Sequence, residues 1–193
     1  YDYFSNKDRA YLVMEYINGR NLEEILNAAS DFLPVDTIMR WALELCDVLG
    51  YLHLHEPEPI IFRDVKPSNI MIDQHQRLRL VDFGIAKTFQ MGQKGTMIGT
   101  EGYSAPEQYR GEASPASDVY GIGATMHHIL TRRDPRLEPP FTFAERPLRD
   151  TNVNVSPEFE GVIMRSLAFN VEERYANAHA MKDALEVLKK KPV

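Results

Sequence analysis

Residues 60–69 read IIFRDVKPSN, an apolar run that ends in an Arg-Asp pair, a Lys and an Asn. A second acid, Asp82, follows 18 residues after Asp64. Residues 70–72 (IMI) and 77–81 (RLRLV) are short extended pieces, and DQHQ (73–76) between them is a polar turn of hairpin length. If 70–72 and 78–80 pair antiparallel, Asn69 and Asp82 meet at the open end of the hairpin. Asp64 and Lys66 enter that end from the preceding loop. Carboxylate and amide oxygens suit a hard cation such as Mg2+, which keeps several waters and shares phosphate oxygens. A further carboxylate beside it can orient or deprotonate a hydroxyl, and a Lys can neutralise charge on a transferring phosphoryl group.

The elements that must position this cluster follow from local pattern. AYLVMEYI (10–17) is almost wholly apolar and reads as a buried strand, broken by Asn18-Gly19. Asn21 stands three residues before Glu24, an N-cap with a reciprocal Glu, and opens a short helix to about residue 29. Pro34 and Asp36 precede a long amphipathic helix in which Ile38, Trp41, Leu45, Leu49 and Leu52 recur at helical spacing, ending near Glu56-Pro57. IIF (60–62) reads as extended. Residues 88–117 are irregular, and a loop of that length is usually functional or mobile. SDVYGIGATMHHILT (117–131) is apolar on most faces, as a helix at the centre of a domain would be. The proline-rich stretch 132–156 reads as surface connection, and amphipathic helices over about 157–168 and 177–190 close the chain. The fold class is mainly α, of the α+β kind.

The totals set limits on partners. A chain of 193 residues suits one domain or one large lobe, and 44% hydrophobic with 26% charged residues is ordinary for a globular protein. The net charge of −6 gives no reason to expect nucleic acid. The single Cys46 lies within the long helix and reads as a thiol without chemistry, consistent with a reducing compartment. His127 and His128 read as packing or surface histidines. No apolar run approaches the ~20 residues of a membrane span, and no signal peptide is visible.

FRDVKPSN (62–69) followed by DFG (82–84) resembles the catalytic and metal-binding segments of eukaryotic-type Ser/Thr protein kinases. The resemblance continues in order over almost the whole chain. GTEGYSAPE (99–107) is similar to the end of an activation segment, which would span 82–107, and SDVYGIG (117–123) to its supporting central helix. EERY (172–175) is similar to the segment whose Arg pairs with the Glu of APE. YLVMEYINGRNL (11–22) is similar to the last strand of the small lobe running into the hinge. FRDVKPSNIMI and SDVYGIGAT resemble bacterial members. The implied fold is the kinase large lobe (18–193), helical with a small β-hairpin at the active site, preceded by a remnant of the small lobe and hinge (1–17).

The resemblance implies roles residue by residue. Asp64 would accept or orient the proton of the attacking hydroxyl, Lys66 would touch the γ-phosphate, and Asn69 and Asp82 would hold Mg2+ on the phosphates of ATP. Lys66 and Thr100 point to Ser/Thr of protein substrates, Thr100 by bonding the catalytic Asp and Lys. The backbone at Glu15 and Ile17 would hold adenine, with Met14 as gatekeeper and Met71 under the ring. Phe62 replaces the usual His, and would stack on Phe83 without the imidazole's hydrogen bond. Asp118 would receive backbone N–H groups of the catalytic loop, and Glu107 would pair with Arg174.

Further expectations concern the whole protein. The Gly-rich loop, the strand Lys and the helix Glu of the small lobe are missing from the sequence, so these residues alone are expected to have negligible phosphotransferase activity. The strand at 10–17 would then lack sheet partners and be frayed, laid across the large lobe, or paired with a second copy. A non-catalytic kinase-like scaffold is the alternative, and a small-molecule phosphotransferase a more distant one. The implied location is cytoplasmic, including as the cytoplasmic domain of a membrane-anchored protein. Arg63 beside the catalytic Asp is the feature of kinases whose activation loop is organised by phosphate, and Thr96 stands where that phosphate would sit, with Thr88 second. Intact mass of active enzyme is expected to show a phosphate and Thr96→Ala to lower activity; unmodified, fully active protein would remove the idea.

Overall fold

A computed structural model describes residues 2–6, 9–82 and 99–189. Two strands open it, β1 (Asp2–Asn6) and β2 (Arg9–Val13), paired antiparallel as a sheet of their own. A second, three-stranded antiparallel sheet follows, ordered β3 (Gly19–Asn21), β4 (Ile70–Asp73), β5 (Leu78–Leu80). The remaining described residues hold five α-helices, with short 3-10 turns between them: α1 (Leu22–Ala28), α2 (Val35–His53), α3 (Pro115–Thr131), α4 (Pro157–Ser166) and α5 (Ala178–Lys189). Helix dominates, as the sequence pattern implies.

Local chemistry accounts for the elements near the site. Asn21 Oδ1 accepts from Glu24 N at 2.8 Å and Asn21 N donates to Glu24 Oε2 at 3.0 Å, so the expected capping box starts α1. The turn 73–76 is closed by Asp73, whose Oδ1 accepts from His75 N and Arg77 N at 2.8 and 3.0 Å. The register Ile70↔Leu80 and Ile72↔Leu78 is the hairpin read from the sequence.

Five readings change. The strand foreseen over 10–17 stops at Val13 and is exposed along its length, because its only described partner is β1. Pairing with β1 also replaces the expected loss of all sheet partners. Gly19 begins a strand instead of breaking one: a Cβ there would sit 2.2 Å from Ile72 O, so only glycine lets β3 approach β4. Residues 60–62 are loop, since the Phe62 N–H is taken by the Asp118 side chain and not by a ladder. The 132–156 stretch is more than surface connection, because Phe143, Leu148 and Val155 join the core and Asn152 Nδ2 donates to Leu130 O at 2.9 Å.

The core is helix on helix. In α2, Ile38, Trp41, Ala42, Leu45, Cys46 and Leu49 form one buried stripe, against which α3 and α5 pack. Helix α3 is buried on nearly every face, and its glycines set how close its neighbours come. A Cβ on Gly121 would lie 2.8 Å from Val65 Cβ in the loop between α2 and β4, and one on Gly123 would lie 2.1 Å from Ser166 Oγ of α4. His127 and His128 are buried packing residues. The His127 ring bonds Arg146 O at 2.8 Å, and the Tyr103 hydroxyl bonds His128 Nδ1 at 2.7 Å. Burial pushes both imidazoles down, His127 to about 4, so both are neutral at pH 7.

Candidate active site

The site grows from the loop between α2 and β4. Pro67 fixes φ at the first position of a single 3-10 turn, Pro67–Asn69, and the Asn69 N–H closes onto Lys66 O at 3.0 Å. The turn brings the Asn69 amide back to Asp64: Nδ2 donates to Asp64 O at 2.9 Å and to Asp64 Oδ2 at 3.0 Å. Lys66 Nζ lies 3.1 Å from the same Oδ2. Thr100 comes from a distant segment and donates to Asp64 Oδ1 at 2.7 Å, while its Oγ1 accepts from Lys66 Nζ at 2.8 Å. Three side chains from two segments, Asn69, Lys66 and Thr100, therefore hold one buried carboxylate in a single orientation. Charge-assisted bonds of this kind are about twice as strong as neutral ones.

The second acid lies just beyond the hairpin. Val81 N donates to Asn69 O at 2.9 Å, so Asp82 is one residue beyond a direct backbone pair with Asn69. Asp82 is exposed and has φ 60°, a left-handed conformation that Asp tolerates better than most residues. With its nitrogen committed to Asp64, Asn69 has its amide oxygen as the atom to offer a cation. The Asn69 amide oxygen and the Asp82 carboxylate are oxygen donors of the kind that suit Mg2+.

The remaining residues foreseen for nucleotide and regulation divide into three groups. Met14 and Glu15 are exposed and Ile17 is half-buried; this segment leads into β3, whose Asn21 pairs with the half-buried Met71 on β4. Strand pairing thus joins the hinge-like segment to Met71. Phe62 is buried. Phe83, Thr88 and Thr96 lie outside the described residues.

Two buried anchors support the loop. Asp118, in the first turn of α3, accepts from Phe62 N at 2.8 Å, Arg63 N at 2.7 Å and the His53 ring at 3.0 Å. His53 Nδ1 accepts from Ala178 N at 3.2 Å, so the proton is on Nε2 and points at the carboxylate. Glu107 and Arg174 form a bidentate pair at 2.7 and 3.0 Å, and Ser117 Oγ adds a bond of 2.7 Å to Glu107 Oε1. Arg174 also donates to the carbonyls of Ala168 and Phe169 and stacks over Tyr120, which leaves the guanidinium well compensated. Burial pushes the Glu107 carboxyl up, but the bonds from Arg174 and Ser117 outweigh it and hold the group below the ordinary carboxylate range.

The sequence reading missed His53, Gln108 and Ser117. His53 ends a helix with no motif to flag it, and its partner is 65 residues away. Gln108 directly follows the APE triplet and donates through Nε2 to Arg63 O at 2.9 Å. Its position beside a recognised motif was the one usable signal.

The sequence pattern of the protein kinase domain matches residues 1–185, so the chain belongs to the protein kinase family. Serine/threonine-protein kinase PknB of Mycolicibacterium smegmatis is 36% identical over 190 residues, covering 89% of this chain. The probable serine/threonine-protein kinase SCO3848 of Streptomyces coelicolor is 31% identical over 199 residues, covering 96% of this chain. The chain spans only 29% of the length of either relative. Among solved structures, the PpkA-294 apo form superposes with a TM-score of 0.79 at 23% identity, covering 96% of this chain and 66% of that one. The PknI kinase domain of Mycobacterium tuberculosis gives 0.67 at 24% identity, with 90% and 64% covered. At these identities the structural likeness establishes the fold alone.

Arg174→Ala is expected to cost about 3–5 kcal/mol in urea unfolding, because it strands a buried carboxylate. The Glu107 contribution is present above its ordinary value of 4.5 and is lost as pH falls through the lower folded value. A cost below about 1 kcal/mol at pH 7 would show that the pair behaves as a surface one.

Proposed function

We propose that this chain is the large lobe of a Ser/Thr protein kinase which, in the longer protein, transfers the γ-phosphoryl group of ATP to Ser or Thr hydroxyls of protein substrates. The observation that carries this is the Asp64 carboxylate fixed by Thr100, Asn69 and Lys66. Asp64 orients the substrate hydroxyl and accepts its proton as the oxygen bonds to phosphorus and the bond to the ADP oxygen breaks. Lys66 balances negative charge at the transferring group. Asn69 and Asp82 would hold Mg2+, which when bound draws charge from the phosphate oxygens. Glu15 and Ile17 offer backbone groups to adenine, with Met14 and Met71 as its apolar contacts. A scaffold has no physical need to keep these polar groups converged.

In the full-length protein with labelled ATP and a generic protein substrate, Asp64→Asn is expected to lower kcat about a hundredfold or more. An Asp64→Asn enzyme as active as wild type would overturn the reading. Residues 1–193 by themselves are expected to show negligible transfer, and ordinary kinase turnover by that fragment would remove this part.

The same fragment is proposed to self-associate through β1–β2. Phe4 and Tyr11 stack at 5.0 Å on a hairpin where Tyr3, Leu12 and Val13 are also exposed, and a two-stranded sheet is marginal alone in water. Light scattering is expected to give twice the chain mass at high concentration; a strict monomer would discard the idea.

A further inference from the structure

We propose that Gln108 is a positioning residue: its side-chain amide holds Arg63 in a left-handed backbone conformation and so sets the direction in which Asp64 is presented. The inference rests on the reading of Asp64 as the group that orients the attacking hydroxyl.

Arg63 has φ 70°, a region that a non-glycine residue occupies only when its surroundings over-determine it. Two bonds do so from opposite sides. Its N–H donates to Asp118 Oδ1 at 2.7 Å, and its carbonyl accepts from Gln108 Nε2 at 2.9 Å. The first bond comes from α3 and the second from the 3-10 turn Pro106–Arg110. The residue that follows is Asp64, so the peptide whose carbonyl Gln108 holds is the peptide that carries the catalytic carboxylate. Releasing that carbonyl frees the peptide to rotate and turns Asp64 away from Thr100 and Lys66.

The Gln108 amide is itself held. Its Oε1 accepts from Ala105 N at 3.0 Å, and the side chain is buried. Only one orientation of the amide satisfies both bonds, since the flipped form sets oxygen against oxygen and N–H against N–H. The space enclosed by Arg63, Asp64, Tyr103, Gln108 and Asp118 is too small to admit a water molecule. No solvent bond is therefore available to take over the donor's place. Gln108 thus ties the end of the 99–107 segment directly to the backbone of the catalytic loop, a link separate from the neighbouring Glu107–Arg174 pair.

The test uses the full-length protein. Gln108→Glu keeps an acceptor for the Ala105 N–H and removes the donor to Arg63. It is expected to lower kcat about tenfold or more with KM for ATP within about twofold. Glycine adopts a φ of 70° without strain, so in an Arg63→Gly background the same change is expected to cost no more than about threefold. Equal losses in the two backgrounds, or no loss in either, would overturn the inference. A crystal structure of the Gln108→Glu protein is expected to show residue 63 outside the left-handed region, and an unchanged φ also overturns it. If the charged variant does not fold, Gln108→Met removes the donor without adding charge; it also removes the acceptor for the Ala105 N–H, a loss common to both residue-63 backgrounds, so the difference between the backgrounds is what decides. Should the wild-type full-length protein transfer no phosphate from ATP, the functional reading fails, and the conformation at residue 63 still decides this one.

Discussion

The buried Asp118 carboxylate is the constraint on which the site depends. It accepts two consecutive backbone N–H groups from a loop that forms no ladder, and it is closed off by the His53 ring. A carboxylate taken out of water is tolerated only when donors replace its hydration. Here the donors are the loop itself, so the loop's conformation and the helix that carries Asp118 stand or fall together. Removing either partner strands a buried charge or two buried N–H groups, and both outcomes cost more than the bonds are worth in water.

From that anchor the rest follows by proximity. Gly121, one turn along α3, lets the helix lie directly against Val65, which places the loop on the most buried element of the lobe. Thr100 then reaches Asp64 from the other side, while Glu107 and Arg174 bind the end of the same segment to the helical core. Loop segments are thereby attached to the buried helical core at several points. That attachment fixes the orientation of the Asp64 carboxylate.

The β1–β2 hairpin is a different case. Residues 10–13 have the composition of a buried strand, yet they stay exposed because the pair makes a sheet of its own. Sequence pattern reports what a segment is suited to contact. Burial depends on what is present to cover it.

What the sequence determined by itself was a cluster of polar groups and its local frame. The groups in FRDVKPSN are near neighbours along the chain, the hairpin has a turn of readable type, and the Asn21–Glu24 cap is a three-residue signal. Short-range geometry has few solutions, so residue types at fixed spacing were enough. Only the tertiary structure decided that His53 closes onto Asp118 and that Gln108 grips Arg63. It also decided that Gly19 starts a strand and that 132–156 feeds the core. Those contacts join positions far apart in the chain through side chains with many other uses. They exist because helix packing brings them together, and no spacing along the chain records that.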